Sequence, residues 1–254
     1  MKANIYSKDG TVVGDIELPQ VFSRVPRDDL IQRAHRAISL SLRQPWGTSP
    51  TAGLRRVGHT SGPGQGRSRI PRVAERTRAV ILASVVGGRS AHAPTTERRL
   101  YRKINHKERK MARYSAIAST AIKEKIIARG HRIPEGLEFP VVVDESVAGI
   151  NRTSDAVEFL KKIGLYDDII RAKNGTKIRA GRGKMRGRRY KQPKSILIVT
   201  THEKPMRGFR GLPGVDLCTP TSLSIRKLAP GGQGGRLTIY TIDAIGELRK
   251  VEAQ

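Results

Sequence analysis

Residues 180–190 read AGRGKMRGRRY: five basic side chains set among three glycines, with Arg179 and Lys191 on the flanks. Glycine lets a backbone approach a phosphate closely, and Arg and Lys supply the counter-charge, so the chemistry on offer is anion binding. The spacing excludes two common phosphate cradles. A P-loop requires G-x-x-x-x-G-K-[ST], but Ile178 stands five residues before Gly183 and Met185 follows Lys184. The glycines at 181, 183 and 187 are one residue too widely spaced for the dinucleotide fingerprint, and they precede a strand rather than follow one. GPGQGR and PGGQGG are not framed by a strand and a helix in the required order either. Like charges repel and glycine makes ordering costly, so 180–190 reads as a solvated loop or as a segment held by an external polyanion.

Other reactive residue types give little. His35, His59, His92, His106, His131 and His202 show no metal-ligand spacing. The single cysteine, Cys218, excludes a CxxC site and an intrachain disulfide, fits a reducing compartment, and reads as a small core residue. No cofactor or metal is expected. His35 lies between arginines and reads as solvated. Asp144 and Glu145 end a strand, where α/β enzymes often keep acids. They read as a helix cap or a solvated pair. The enzyme alternative, an acid or base acting on RNA, needs a convergent second polar group that no motif supplies.

The elements that must position these residues alternate. ANIYS and TVVGDIEL form a hairpin about Asp9-Gly10, and 27–42 is a helix with Leu30, Ala34, Ala37, Ile38 and Ser41 on one face. Residues 105–130 read as one helix, with Asn105 and Glu108 as a capping box, Gly130 as its stop, and Met111, Tyr114, Ala118, Ala121 and Ile122 as its stripe. Strands follow at 138–144, 195–200, 215–218 and 236–241; helices follow at 153–164, capped by Thr153, at TSLSIRKLAP, and at DAIGELRK. Apolar strands alternating with helices predict an α/β fold: a mostly parallel open sheet flanked by helices, with Rossmann-like layering.

The charge is not spread over this body. The chain of 254 residues carries a formal +27. Residues 42–114 hold 17 Lys/Arg against Glu75, Glu97 and Glu108, net +14, and 171–191 hold ten Lys/Arg and no acid, net +10. A nearly neutral body with two basic attachments suits a nucleic-acid partner better than a membrane. Within 42–114 there are 14 Arg to 3 Lys, and the Arg fork matches phosphate oxygens in pairs. Prolines at 45, 50, 63, 71 and 94 and six glycines between 47 and 66 leave that segment without a core of its own. Its apolar stretch 80–86 is either a short strand docked on the body or a contact for another macromolecule. No DNA-reading motif is present, and only 4% of residues are aromatic, which argues against a stacking platform. Phosphate and shape contacts remain, which suits folded RNA. MKANIYSKDG has no apolar signal core and AVILASVVGG is too short to span a bilayer, so a cytoplasmic location is expected.

Several stretches together resemble one family. GKMRGRRYKQPKSILIVT, LPGVDL, LAPGG with GRLTIYTIDAI, VGGRSAHAP and KINHKERKMARYSAIASTA are similar to the archaeal and eukaryotic branch of the universal large-subunit ribosomal protein L-four family. The resemblance implies a structural constituent of the large subunit, not an enzyme. It implies a globular α/β domain (1–41 and 106–254) and an extended loop (42–105) that penetrates ribosomal RNA toward the nascent-peptide exit tunnel. The universal protein L-twenty-two would share the tunnel constriction. Carried onto this chain, Arg43, Arg55, Arg56, Arg67, Arg69, Arg72, Arg76, Arg78, Arg89, His92, Arg98, Arg99, Lys103, Lys107 and Arg109 would bind rRNA. A second anchor at 171–191 would use Arg182, Lys184, Arg186, Arg188, Arg189 and Lys191. The loop's inner part would comprise Gly58, His59, Gly62, Gly64, Gln65, Gly66 and Arg67. Partners implied are rRNA, neighbouring subunit proteins and the nascent peptide, with no membrane and no homo-oligomer. Two departures stand out: HTSGPGQGRSRIPR lacks the aromatic often found there, and the chain stops soon after its last helix, so contacts from a polar C-terminal region should be few. A regulatory RNA binder acting away from the ribosome stays open as a further role.

Overall fold

The computed structural model describes residues 1–56, 58–73, 78–201 and 206–253. Contacts divide the chain into a body, 1–39 with 103–254, and a second unit, 40–102.

The body is built from β1 (Lys2–Tyr6), β2 (Val12–Glu17), α1 (Asp28–Ser41), α2 (His106–Ala118), α3 (Lys123–Ala128), β3 (Val141–Val143), α4 (Thr153–Ile163) and α5 (Tyr166–Asn174). It continues through β4 (Lys177–Ile178), β5 (Tyr190–Lys191), β6 (Leu197–Val199), α6 (Arg207–Arg210), β7 (Asp216–Cys218), α7 (Ile225–Leu228), β8 (Thr238–Thr241) and α8 (Ile242–Ala253). Six strands form one sheet in the order β2-β1-β3-β8-β6-β7. Only the β1–β2 hairpin is antiparallel; the other pairings run parallel. This is the expected mostly parallel α/β sheet.

Both faces are covered, which is why the central strands β3, β8 and β6 are buried throughout. Alternate side chains serve opposite cores. Val142, Leu197, Val199 and Tyr240 join one cluster with Ile31, Ala34, Ile117 and Ile245. Val141, Val143, Ile198 and Ile239 join the other with Phe159, Leu160, Ile169 and Phe209. Edge-to-face ring pairs lock each side, Phe22 on Tyr240 at 5.3 Å and Phe159 on Phe209 at 6.0 Å.

Several local expectations are corrected. Residues 105–130 are not one helix. Ser119 and Thr120 turn their hydroxyls back onto the carbonyls of Ser115 and Ile117, at 2.8 and 2.7 Å, and a 3-10 turn follows. Ile122 is extended before α3 begins. The Asn105–Glu108 capping box does not form: Asn105 makes no side-chain cap bond, and Glu108 pairs with Arg33 at 2.9 Å. Met111 is exposed, while Ala112 and Ser115 to Ala118 are buried. On α1 the face is rotated so that Ile31, not Leu30, is fully buried. Thr153 is the first helical residue and Arg152 takes the cap position. Gly164, at φ 82°, ends α4 and separates it from α5. His35 is half-buried near Gly232, and burial lowers its pKa. Cys218 is a buried free thiol, as expected.

In the second unit, the described residues from 42 to 102 form no helix and no paired strand. Two isolated bridges, His59 with Arg72 and Arg72 with Ala79, organise it. Residues 80–86 make no strand: Val80 is buried, while Ile81 and Val86 are exposed. Gly58 is required where the chain crosses itself, because a Cβ there would lie 2.2 Å from Val80 Cγ2.

Candidate nucleic-acid interface

The segment 171–191 is held by itself, contrary to the sequence reading. β4 and β5 pair antiparallel, Lys177 with Lys191 and Ile178 with Tyr190. Arg179 N–H donates to the Arg189 carbonyl at 2.7 Å, and Arg179 Nε donates to the Arg188 carbonyl at 3.1 Å. A 3-10 turn over Arg182–Arg186 closes the tip, where Gly187 adopts φ 76°. Backbone pairing tolerates like charges because the side chains splay into water.

A buried clasp fixes the root of this hairpin. Asp168 of α5 is fully buried and accepts from Arg171 Nε at 2.8 Å, Ser195 Oγ at 2.7 Å, His131 Nδ1 at 3.1 Å and the Arg132 N–H at 3.0 Å. Burial alone would raise its pKa, but these hydrogen bonds and charges hold the carboxyl well below the usual carboxylate range. Arg171 also donates to the Lys194 carbonyl at 2.9 Å, so the chain entering the hairpin grips the chain leaving it. Beside this, the buried guanidinium of Arg236 donates to the carbonyls of Ser195 and Lys227, at 2.9 and 2.7 Å, and to Asp216 Oδ2 at 2.7 Å. Neither arrangement is legible in the sequence, because most of the partners come from elements distant along the chain.

The predicted contact residues fall into clear positions. Arg182, Lys184, Arg186, Arg188, Arg189 and Lys191 are all exposed on the hairpin. In the second unit Arg43, Arg55, Arg56, Arg67, Arg69, Arg78, His92, Arg98 and Arg99 are exposed, and Arg72 and Arg89 are half-buried. Arg76 lies outside the described residues. Of the inner loop, Gly58 is half-buried, and His59, Gly62, Gly64, Gln65 and Gly66 are exposed. Lys103, Lys107 and Arg109 are exposed on the body, at and before the start of α2.

Electrostatics separates these cations from those of the body. Arg27 pairs with Asp29 at 2.7 Å, Lys125 with Asp28 at 2.8 Å and Lys194 with Asp216 at 2.9 Å. Among the described residues, no carboxylate pairs with Arg43, Arg55, Arg56, Arg67, Arg69, Arg78, Arg98 or Arg99, nor with the six exposed hairpin cations.

The acids named above do not assemble a catalytic site. Asp144 accepts from the Ser146 N–H at 3.4 Å as a helix cap, and hydrogen bonding from the Ser146 side chain, helped by the backbone N–H groups, lowers its pKa. Glu145 meets Asp243, whose carboxyl beside it raises its pKa, and both are exposed. Among the described residues no group of His, Cys, Asp and Glu could hold a metal ion, and no helix is long and apolar enough to cross a membrane.

Fold and charge together define an α/β protein whose positive charge is left unneutralised on specific segments. The chain belongs to the Ribosomal protein L4/L1 family, whose model matches residues 16–251. It is 60% identical to the large ribosomal subunit protein uL4 of Thermoplasma acidophilum, over 99% of this chain and 98% of that protein. It is 59% identical to the uL4 of Thermoplasma volcanium, over 99% of each chain. It is 45% identical to the uL4 of Methanocaldococcus jannaschii, over 98% of this chain and 99% of that one. The family is one of ribosomal structural proteins, not of enzymes.

Proposed function

We propose that this chain is a structural constituent of the large ribosomal subunit in the cytoplasm and binds the subunit's RNA through two segments. The 42–105 loop penetrates the folded RNA toward the peptide exit tunnel. There it meets the universal protein L-twenty-two and the nascent peptide. The 171–191 hairpin anchors the body on RNA phosphates. Neutralising phosphates where RNA helices converge favours subunit assembly.

One observation carries this reading. Exposed cations without carboxylate partners are concentrated on these two segments, while the body's cations include several that find acids. Self-repulsion of that kind is relieved by a polyanion. The names of the relatives supply the ribosomal context.

The test is sedimentation of a native lysate through a high-salt sucrose cushion, with the protein quantified in each fraction. Surface phosphate contacts weaken steeply with salt, whereas a loop threaded through folded RNA is retained. The expected result is a stoichiometric amount on washed large subunits. Release into the soluble fraction would leave surface contacts only and favour a regulatory RNA binder.

A further inference from the structure

On the body, the first turns of α2 and the segment leading into α7 enclose a cavity of about 530 Å³. That lies within the range of small-ligand clefts. Its lining is of two kinds. Arg109, Lys110 and Arg113 supply cations, and Ile38, Tyr114 and Leu223 supply apolar and aromatic surface, with Lys110 Nζ 5.8 Å from the centre of the Tyr114 ring. Thr221, Ser222 and Ser224 add hydroxyls.

No carboxylate lines the cavity. Glu108, the one acid of α2, is engaged by Arg33 at 2.9 Å. Arg113 is half-buried and has no acidic partner among the described residues. One terminal nitrogen donates to the Pro220 carbonyl, and its buried Nε finds no acceptor. A partly buried guanidinium in this state is stabilised by an incoming anion. The positive end of α2 adds the same sign of field.

Cations next to apolar and aromatic surface match a ligand that is anionic at one end and flat and apolar at the other. A bare anion would leave the apolar surface unused, and the bases of a continuous duplex stay stacked on one another. An unstacked nucleotide uses both, and single-stranded positions are where RNA exposes its bases. We infer that this cavity receives one unstacked nucleotide of an RNA strand, its phosphate on Arg109, Lys110 and Arg113 and its base against Tyr114, Ile38 and Leu223. The inference rests on the RNA-binding reading above.

The experiment irradiates the full chain bound to a transcript of the large-subunit RNA with ultraviolet light. Peptides carrying nucleotide adducts are then identified by mass spectrometry, and affinity is titrated across salt. Thr221→Trp fills the cavity mouth at an exposed position and changes no charge. It should abolish an adduct on the 106–114 peptide and weaken binding about five-fold, as expected for one lost base contact, with the salt slope unchanged. Lys110→Gln should instead lower the slope by about one. Wild-type affinity in Thr221→Trp, or adducts confined to 42–102 and 171–191, overturns the cavity assignment and leaves the RNA-binding reading standing. Absence of both adducts and salt-dependent binding overturns both. Displacement of the 106–114 adduct by free adenosine or uridine monophosphate, without loss of RNA binding, would make this a mononucleotide site and overturn the strand assignment.

Discussion

Asp168 takes hydrogen bonds from four residues of three chain segments, and its single charge ties α5, residues 131–132 and the segment leading into β6 together. Removing that charge leaves Arg171 partly buried and unbalanced. Asp168→Asn is expected to cost about 3–5 kcal/mol in denaturant unfolding, the usual penalty for breaking a buried pair from one side. The pH dependence follows from the depressed folded pKa. Unfolded, the carboxyl titrates at about pH 4. The stabilisation is therefore complete above that pH and lost as pH falls through the lower folded value. The gap between variant and wild type should be flat at neutral pH and narrow in acid; a gap that widens in acid would contradict this assignment. Gly214 is a second point of this kind. It adopts φ +76°, and a Cβ there would lie 2.6 Å from the Pro193 carbonyl oxygen. Gly214→Ala should lose more than about 1 kcal/mol, read from the same unfolding curves.

At the scale of elements, the hairpin β4–β5 separates structure from charge. Its shape comes from backbone bonds, the Arg179 side chain and the clasp at its root, while Arg182, Lys184, Arg186, Arg188, Arg189 and Lys191 are exposed and meet no carboxylate among the described residues. Replacing Arg182, Lys184, Arg186, Arg188 and Arg189 together by Gln should leave the unfolding midpoint nearly unchanged. Affinity for large-subunit RNA should fall, and the slope of log affinity against log salt should become shallower by about four. A lowered midpoint would show that these side chains support the fold. The break between α2 and α3 belongs to this scale too. Periodicity ran through 105–130 without interruption, but the hydroxyls of Ser119 and Thr120 bond back to the Ser115 and Ile117 carbonyls and compete with the continuing helix.

For the whole molecule, the two units differ in what can hold them. The body buries two clusters against a six-stranded sheet. In the 40–102 unit the only buried apolar residue among those described is Val80, and most of the described residues lie outside any helix or strand. Amide exchange in the free protein should therefore be fast across 45–95 and slow in β3, β6 and β8. On purified large subunits the same amides should become protected. Slow exchange of 45–95 in the free protein would mean that the unit is stable without RNA.

The sequence by itself determined the layering, because apolar runs such as Val141–Val143 and Leu197–Val199 can be satisfied only between two covered faces. It also determined where the charge accumulates, since composition by segment needs no coordinates. Helix breaks and caps were less legible: Glu108 has the spacing of a capping residue, yet Arg33 offers a full opposite charge from another helix. Only the tertiary structure decided which basic residues are paired. Arg236 and Arg186 are the same residue type, but Arg236 ends inside the sheet among carbonyls and Asp216, while Arg186 stands in water. It alone brought His131, Asp168 and Ser195 to one point, and α2 beside the turn before α7. Such meetings depend on how helices cross the sheet. That crossing is set by the summed packing of both faces, and no local stretch of sequence encodes it.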